Sequence, residues 1–358
     1  MVGLAVGCGS PSAVPPAAAA LIQAWATYKS AYIASDGYVL DRTRGRGETT
    51  SEGQGYALLR AALVRDPKTF ARVFDWSEQH LRRTDGLYSW RYSPDARQII
   101  DPNTAADADQ EIALALVIGG SVFANRGYVN RARDILLAIR RQEAIRINDS
   151  WFPAAGNWAT NERIVNLSYF LPYAYQYFAQ LDPDGGWTRV IDIGYDLIAN
   201  ALQAPARKLV PDFMVVSLDG RISSLPAGSP LSGDFSSDAM RIYWRVAVDC
   251  RLRLRARACG DPLRAETLTG LLTRDGVLFT RYTVAGIPQE RTESLSFYGA
   301  ALPYLQIFAP AAAEAVRSEH LTESALREVS TVSDRYYDAN WTWFGIAAAD
   351  GFISSQMP

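Results

Sequence analysis

The chain has 358 residues, of which 48% are apolar, so it can bury a large hydrophobic core. Its 36 basic and 38 acidic residues nearly balance and form no run of like charge, which argues against a nucleic-acid partner. Lysine occurs only three times and histidine only twice, so Schiff-base chemistry, His-ligated metals and His-based triads have few candidates. Carboxylates are therefore the main candidates for catalytic groups.

The first fifteen residues are predicted to be the remainder of a secretion signal or a disordered tail. Residues 1–8 look like the end of a lipoprotein signal, which makes Cys8 a candidate for a lipid anchor, yet a basic start and a full apolar core are missing. The chain contains no apolar run near the ~20 residues needed to span a bilayer. We expect residues 16–358 to form a single catalytic domain.

Turn signals separate twelve predicted helices. Their spans are 16–34, 51–64, 67–83, 104–123, 127–143, 166–181, 187–203, 236–254, 261–273, 294–308, 310–329 and 335–349.

The even-numbered helices are predicted to lie inside a ring and the odd-numbered helices outside it. Residues 112–118 of the fourth helix are continuously apolar, which indicates burial on all sides, whereas the fifth helix (127–143) is apolar on one face only. This alternation predicts an all-α, two-layer toroid. The segments 84–103 and 204–235 are predicted to be loops or short β insertions, and residues 209–218 (LVPDFMVVSL) a strand.

Acidic residues occur where the second and fourth helices are predicted to begin. Ser51 and Gln54 fit a capping box that places Glu52 at the first helical position, and Thr104 with Asp107 fits a second one. A first-turn carboxylate is stabilised by the helix dipole by about 0.3–1 kcal/mol, so each acid singly can be explained as a helix cap.

Further acids occur at the starts of other inner helices. Asp109 follows in the first turns of the fourth helix, and Asp238 opens the eighth helix with Arg241 one turn later, where the two can pair. The tenth and last helices begin with Glu293 and Asp338. Inner helices of an up-down toroid run parallel, so these starts should collect at one mouth. Separated carboxylates held there suit acid-base hydrolysis of a glycosidic bond.

Aromatic side chains complete the predicted cleft, because the flat apolar faces of sugars stack on indole and phenol rings. Six of them fall near predicted inner-helix starts and are compatible with either a cleft or a core position: Trp90, Trp151, Trp158, Tyr169, Trp341 and Trp343. Three others are predicted to lie in the core: Trp25, Trp76 and Trp187.

Cys250 and Cys259 do not decide in which cellular compartment the protein acts. They are close enough in sequence for a short-loop disulfide in an oxidising compartment, but two buried thiols fit the sequence equally well.

Two segments carry a resemblance to a known family. Residues 36–56, ending in TSEGQGY, and residues 105–113 (AADADQEIA) resemble glycoside hydrolase family 8. Residues 238–242 (DAMRI) resemble the family's Asp-Ala-x-Arg segment, and residues 336–338 (YYD) its last inner helix. The similarity covers about residues 20–350. It implies an (α/α)6 barrel of six inner and six outer helices that acts as an inverting, endo-acting hydrolase of β-1,4-linked polysaccharide, with cellulose and related glucans as the usual substrates.

The resemblance also implies roles for individual residues. Glu52 would be the general acid, Asp238 the general base, and Asp107 would bind and distort the sugar at the scissile bond. As an acid at a helix start, Glu52 needs burial or a nearby carboxylate to stay protonated. Arg241 would keep Asp238 ionised and Tyr169 would help to place the water. The expected substrate-binding residues are Trp90, Asp109, Tyr169, Arg241 and Tyr337.

The resemblance implies no metal and no cofactor. The expected partner is a polysaccharide, and we expect a monomer located in the periplasm or outside the cell.

Two positions depart from the family pattern. Ala106 stands where Ser or Thr is common, and Ser237 stands where the best-known members have Tyr beside the reacting sugar. The family also contains chitosanases, lichenases and xylan-acting enzymes, which remain alternative activities. Ser237 motivates a further alternative, a non-catalytic polysaccharide-binding toroid. A polysaccharide lyase is a third alternative, although the scarcity of His and Lys argues against that chemistry.

Overall fold

The computed structural model describes residues 16–43, 47–204, 206–252 and 255–357. The predicted N-terminal tail and the candidate lipid-anchor residue Cys8 lie outside these ranges. Within them the α-helices are α1 (Pro16–Tyr32), α2 (Ser51–Leu63), α3 (Pro67–His80), α4 (Ala106–Val122), α5 (Arg126–Gln142), α6 (Pro172–Leu181), α7 (Trp187–Ala201), α8 (Arg241–Arg251), α9 (Ala265–Asp275), α10 (Leu295–Phe308), α11 (Pro310–Glu319), α12 (Glu323–Thr331), α13 (Tyr336–Ala349) and α14 (Phe352–Gln356).

The helices form two concentric layers. The inner helices α2, α4, α6, α8, α10 and α13 pack against one another in chain order. The ring closes between α2 and α13, where Arg60 Nη1 donates to Asn340 Oδ1 at 3.2 Å. Every residue of α2 except Glu52 is buried, whereas the outer helix α5 buries one face. The predicted (α/α)6 barrel is confirmed.

Two glycines allow the inner helices α10 and α13 to touch through their backbones. A Cβ atom at Gly345 would lie 2.1 Å from the carbonyl oxygen of Gly299, and one at Gly299 would lie 2.2 Å from that of Trp341. A larger residue at either position would force the helices apart, because real Cβ atoms essentially never show such contacts.

Short strands occupy the connections that lead from an outer helix to the next inner helix. The strands of the described residues are β1 (Thr49–Thr50), β2 (Arg91–Ser93), β3 (Gln98–Asp101), β4 (Ala144–Ile147), β5 (Ser150–Pro153), β6 (Ile164–Val165), β7 (Met214–Val216), β8 (Ile222–Ser223), β9 (Phe279–Tyr282) and β10 (Pro288–Glu293). They pair antiparallel in the orders β1-β2-β3 and β6-β7-β8 and as the hairpins β4-β5 and β9-β10. These strands and their loops collect at the end of the barrel where the inner helices begin.

Several predicted boundaries are wrong for local reasons. The helix predicted at 310–329 is two helices, since the chain turns after His320 and Thr322 caps α12 by accepting from Ala325 N at 3.1 Å. The helix predicted at 166–181 begins at Pro172, after a 3-10 turn at Leu167–Tyr169. Proline favours the first turn of a helix, where its missing N–H is not needed.

The two β insertions were only partly predicted. Of the strand expected at 209–218 only Met214–Val216 forms a strand, β7, which is the central strand of its sheet, and the segment 84–103 contains β2 and β3. The hairpins β4-β5 and β9-β10 were not predicted. Helix α8 begins at Arg241 and α9 at Ala265, a few residues later than expected.

A disulfide joins Cys250 to Cys259, which resolves the alternative left open by the sequence. Among the described residues, no helix combines the length and the apolarity that crossing a bilayer requires.

Candidate active site

A cavity of about 1040 Å³ lies at the end of the barrel where the inner helices begin. Seven acidic residues of the described chain line it: Asp41, Glu48, Glu52, Asp101, Asp107, Glu162 and Asp238. Its lining contains no lysine or arginine within the described ranges. The predicted acid-lined mouth is therefore present.

Arg241 brings the three predicted catalytic acids together. Its Nη1 donates to Glu52 Oε2 at 2.7 Å and to Asp107 Oδ2 at 2.9 Å, and its Nη2 pairs with Asp238 Oδ1. The Tyr56 hydroxyl is a further neighbour, 3.1 Å from Nη1. Arg241 is only 1% exposed, so it lies beneath these acids and can position them. The expected contact between Arg241 and sugar is not supported, because its side chain is buried.

The acid on α2 is not held by the capping box that the sequence predicted. Thr50, not Ser51, is the N-cap, and its hydroxyl accepts from Gly53 N at 3.0 Å. The side chain of Gln54 instead accepts from Val39 N at 2.6 Å. Glu52 is thus the second residue of α2, on a turn that is fixed from two sides.

The capping box predicted on α4 is also wrong. Ala105 is the N-cap of α4, and the hydroxyl of Thr104 donates to Glu143 instead of capping the helix. Asp107 is the second residue of α4 and is 1% exposed. Glu52 and Asp107 therefore occupy equivalent positions on neighbouring inner helices.

Burial raises the pKa of Glu52 to about 8, against the opposing effect of Arg241, and the negative charge of Asp107 raises it further. Burial and a neighbouring carboxylate thus overcome the bias of the helix dipole, as a general acid at this position requires. Asp238 is the most exposed of the three acids, at 33%, and its ion pair with Arg241 stabilises a carboxylate. The site therefore contains one carboxyl group with a raised pKa and a second, more exposed one that pairs with the same guanidinium.

Asp238 lies in the turn before α8, not at a helix start as predicted. That turn is held by Asp212, a residue that the sequence analysis did not identify. Buried Asp212 accepts from Ser236 N at 3.0 Å and from Ala239 N at 2.8 Å through Oδ1, and from Ser236 Oγ at 2.5 Å through Oδ2. Its distance of more than 20 residues from these partners left no local pattern to detect. Tyr337 also fixes the turn, by donating to Ser237 O at 2.7 Å.

Aromatic residues form the rest of the wall. Trp90, Tyr169 and Tyr337 line the cavity, as does Trp158, which is 36% exposed. The ring of Tyr169 lies 5.1 Å from the guanidinium of Arg241 and covers it from the cavity side. These flat faces are suited to stack on sugar rings.

Other predicted residues lie away from the cavity. Asp109 is completely buried, and its Oδ1 accepts from Tyr88 N at 3.0 Å, so the expected contact with substrate is not supported. Glu293 accepts from the hydroxyl of Tyr298 at 2.7 Å, and Asp338 pairs with Arg335 at 2.8 Å. Neither of these acids lines the cavity.

The remaining tryptophans are buried, except for Trp151, which is partly buried. Trp25, Trp76 and Trp187 are buried in the core, as predicted. Trp341 and Trp343 are completely buried as well, and the indole of Trp151 donates to Gly185 O at 2.8 Å outside the cavity lining. Of the six aromatic residues left open by the sequence, Trp90, Trp158 and Tyr169 reach the cleft.

Solved structures resemble this fold over nearly its whole length. The endo-beta-1,4-glucanase CMCax from Acetobacter xylinum superposes with a TM-score of 0.77 and 24% identity, over 94% of this chain and 99% of that one. A beta-1,3-1,4-glucanase from Paenibacillus sp. X4 superposes with a TM-score of 0.79 and 21% identity, over 97% and 96% of the two chains.

Sequence relatives lead to the family. A probable endoglucanase of Novacetimonas hansenii is 34% identical over 239 residues, which are 64% of this chain and 68% of the relative. An endoglucanase of Salmonella typhi is 27% identical over 93% of this chain and 88% of its own length. The sequence profile of Glycosyl hydrolases family 8 matches residues 6–350. The chain is a glycoside hydrolase and belongs to family 8.

Proposed function

We propose that the chain is an inverting, endo-acting hydrolase of β-1,4-linked glucan, either cellulose-like or a related exopolysaccharide. The observation that carries this proposal is the contrast between two acids on one guanidinium. Glu52, with its raised pKa, is suited to bind a proton at neutral pH, while Asp238, the more exposed of these two partners of Arg241, is suited to act as the base. An inverting glycosidase needs such a pair, with the carboxyl groups roughly 6.5–9.5 Å apart when a water lies between substrate and base.

In the proposed reaction Glu52 donates its proton to the glycosidic oxygen as the bond to the anomeric carbon breaks. Water attacks that carbon from the opposite face and gives a proton to Asp238, so Glu52 ends ionised and Asp238 protonated. Asp107 binds the sugar at the scissile bond, Tyr169 helps to place the water, and sugars stack on the aromatic wall. Proton exchange with solvent then resets both acids.

The experiment measures reducing-end release from a panel of β-glucans, xylan and chitosan, together with the anomer of the first product. We expect an α-anomer from a β-glucan, because a single displacement inverts the anomeric carbon. Glu52→Gln and Asp238→Asn should each lower kcat by about 10²–10⁴-fold. Glu323→Gln is the matched control, since Glu323 also lies in a first helical turn but on the outer helix α12.

Three outcomes would overturn parts of this proposal. A retained β-anomer contradicts the assignment of acid and base, and full activity of Glu52→Gln removes the proton donor. No release from any polymer, with binding retained, would favour the non-catalytic toroid.

The acidity of the cleft favours chitosan as a second candidate substrate. Glu162 and Asp101 line the cavity without contacting Arg241, so they can attract the ammonium groups of a glucosamine polymer. If chitosan is the substrate, its kcat/KM should fall steeply with added salt, and Glu162→Gln should weaken chitosan hydrolysis selectively.

We further propose a monomeric enzyme, with residues 16–358 as one catalytic unit, that acts in the periplasm or outside the cell. The disulfide between Cys250 and Cys259 supports this location, because such bonds persist in oxidising compartments.

A further inference from the structure

Two acids that the proposed reaction does not use lie behind the wall of the cleft. Asp109 is in the first turn of α4, and Glu143 directly follows α5. Both are completely buried, and neither lines the cavity. Burying two carboxyl groups is unfavourable unless each oxygen finds a donor.

The hydrogen bonds of this pair are incomplete if both acids are ionised. Asp109 Oδ1 accepts from Tyr88 N, and Glu143 Oε1 accepts from the hydroxyl of Thr104. The remaining oxygens, Asp109 Oδ2 and Glu143 Oε2, find no donor among the residues that the structure describes. The two side chains are nevertheless within hydrogen-bonding contact of each other. One proton between them would supply the missing donor.

We propose that Asp109 and Glu143 share a single proton and together act as a positioning pair that fixes the cleft wall formed by Thr104 and Trp158. The positioning role rests on the proposed function, whereas the shared proton does not.

The charges around the pair favour this state. Burial raises the pKa of Asp109 well above its usual range, and the charge of Glu143 adds to this effect. Burial likewise raises the pKa of Glu143 to about 8, with a contribution from Asp107, while the hydrogen bond from Thr104 opposes it.

Two more charged groups face the pair. Asp85 also raises both pKa values. Arg131, the cation that faces Asp109, is already bonded to Glu78 at 2.9 Å and to Gly86 O at 2.8 Å, so it offsets the burial only in part.

A chain of hydrogen bonds connects the pair to the cleft. The hydroxyl of Thr104, which donates to Glu143, accepts from Asn157 N at 2.9 Å, and Thr104 N donates to Asn157 Oδ1 at 2.8 Å. Thr104 lines the cavity, and the residue after Asn157 is Trp158, which lines it too. The start of α4, which carries Asp107, and the loop that carries Trp158 are therefore held together through Glu143.

The test compares Glu143→Gln with the wild-type chain. The amide of Gln supplies a permanent donor to Asp109, so the pair no longer needs a shared proton. Between about pH 5 and pH 8 the folded wild-type chain should bind about one proton more, relative to its unfolded state, than the folded variant does. Measurements of unfolding free energy against pH give this proton number directly, without any assay of activity. If the unfolding free energy changes equally with pH in the two chains, the shared proton is contradicted.

The positioning role is tested by activity. Glu143→Ala removes the link to Thr104 and should lower kcat/KM by at least about tenfold, because small displacements in a site are costly. Glu143→Gln should restore activity to within about threefold of wild type at pH 7, since it keeps the acceptor for Thr104. If Glu143→Gln is as impaired as Glu143→Ala, the pair does not position the cleft. If Glu143→Ala fails to fold, two measurements still decide the proposal. They are the activity of Glu143→Gln and the pH dependence of the unfolding free energy of Asp109→Asn.

Discussion

Replacing Glu52 by glutamine should lower kcat by about 10²–10⁴-fold and at the same time stabilise the fold. Burial and the negative charge of Asp107 favour the neutral form of this carboxyl group against the opposing effect of Arg241. An amide has nearly the same shape and no charge at any pH. The variant should therefore keep the interactions of neutral Glu52 and lose the cost of ionising it.

The size of the gain follows from the pKa of Glu52, which the fold raises from 4.5 to about 8. Between about pH 4.5 and pH 8 the folded chain binds a proton that the unfolded chain has lost. The free energy of unfolding of the wild-type chain therefore falls by about 1.4 kcal/mol per pH unit in this range. At pH 7 this amounts to about 3 kcal/mol. Since the side chain is 20% exposed, solvent screens part of the effect, and we expect a measured gain of about 2 kcal/mol.

The sign of the effect depends on pH in a defined way. Below about pH 4.5 both states of the wild-type chain bind the proton, so wild type and Glu52→Gln should be equally stable. The gain should grow as the pH rises and become constant above about pH 8. Urea unfolding of both chains at pH 4, 6, 7 and 8 measures it. A gain that is the same at pH 4 and pH 8, or a loss of stability at pH 8, would contradict a raised pKa of Glu52 in the folded chain.

Three further predictions concern the supports of the site and the fold. Asp212→Ala should lower kcat at least about tenfold without changing the anomer of the product, because it frees the turn that carries Asp238. Trp158→Ala should raise the KM for oligosaccharides by about three- to tenfold with a smaller effect on kcat, since a stacking face is lost. Cys259→Ser should destabilise the fold by about 2–3 kcal/mol, because the bond to Cys250 closes a loop with a sequence separation of 9. A reductant should reproduce that loss in wild type and leave the variant unchanged.

The architecture could be predicted because the local pattern of apolar residues shows whether a helix is buried on all sides or on one face. A continuous apolar run such as 112–118 has only one stable environment, the interior, and the alternation of such helices with amphipathic ones predicts the two layers. Boundaries were less predictable where two local signals competed. Thr50 and Ser51 can both cap a helix, and the choice was decided by Gln54, whose side chain bonds to Val39 and Ser77 instead of folding back.

The supports of the site could not be predicted, because they join distant parts of the chain. Asp212 fixes the turn before α8 from 24 and 27 residues away, and Glu143 reaches Thr104 across 39 residues. Neither spacing has a local periodicity, so only the assembled barrel brings these groups together. The same limit explains why Asp109 was wrongly placed in the cleft: its position two residues after Asp107 turns it to another side of α4.

Helix starts alone also do not distinguish catalytic acids from structural ones. Glu293 ends β10 just before α10, and Asp338 lies in the first turn of α13. Both acids are bound by nearby residues, Tyr298 and Arg335, and neither lines the cavity. Asp238 has a local partner as well, three residues away, but that partner is Arg241, whose other terminal nitrogen reaches acids 134 and 189 residues distant. One buried guanidinium thus selects three acids from the larger set. Its positive charge lowers the pKa of Glu52, but burial of Glu52 has the larger and opposite effect, so the pKa stays raised. The proposed reaction needs this balance, because one carboxyl group must donate a proton while its neighbour accepts one.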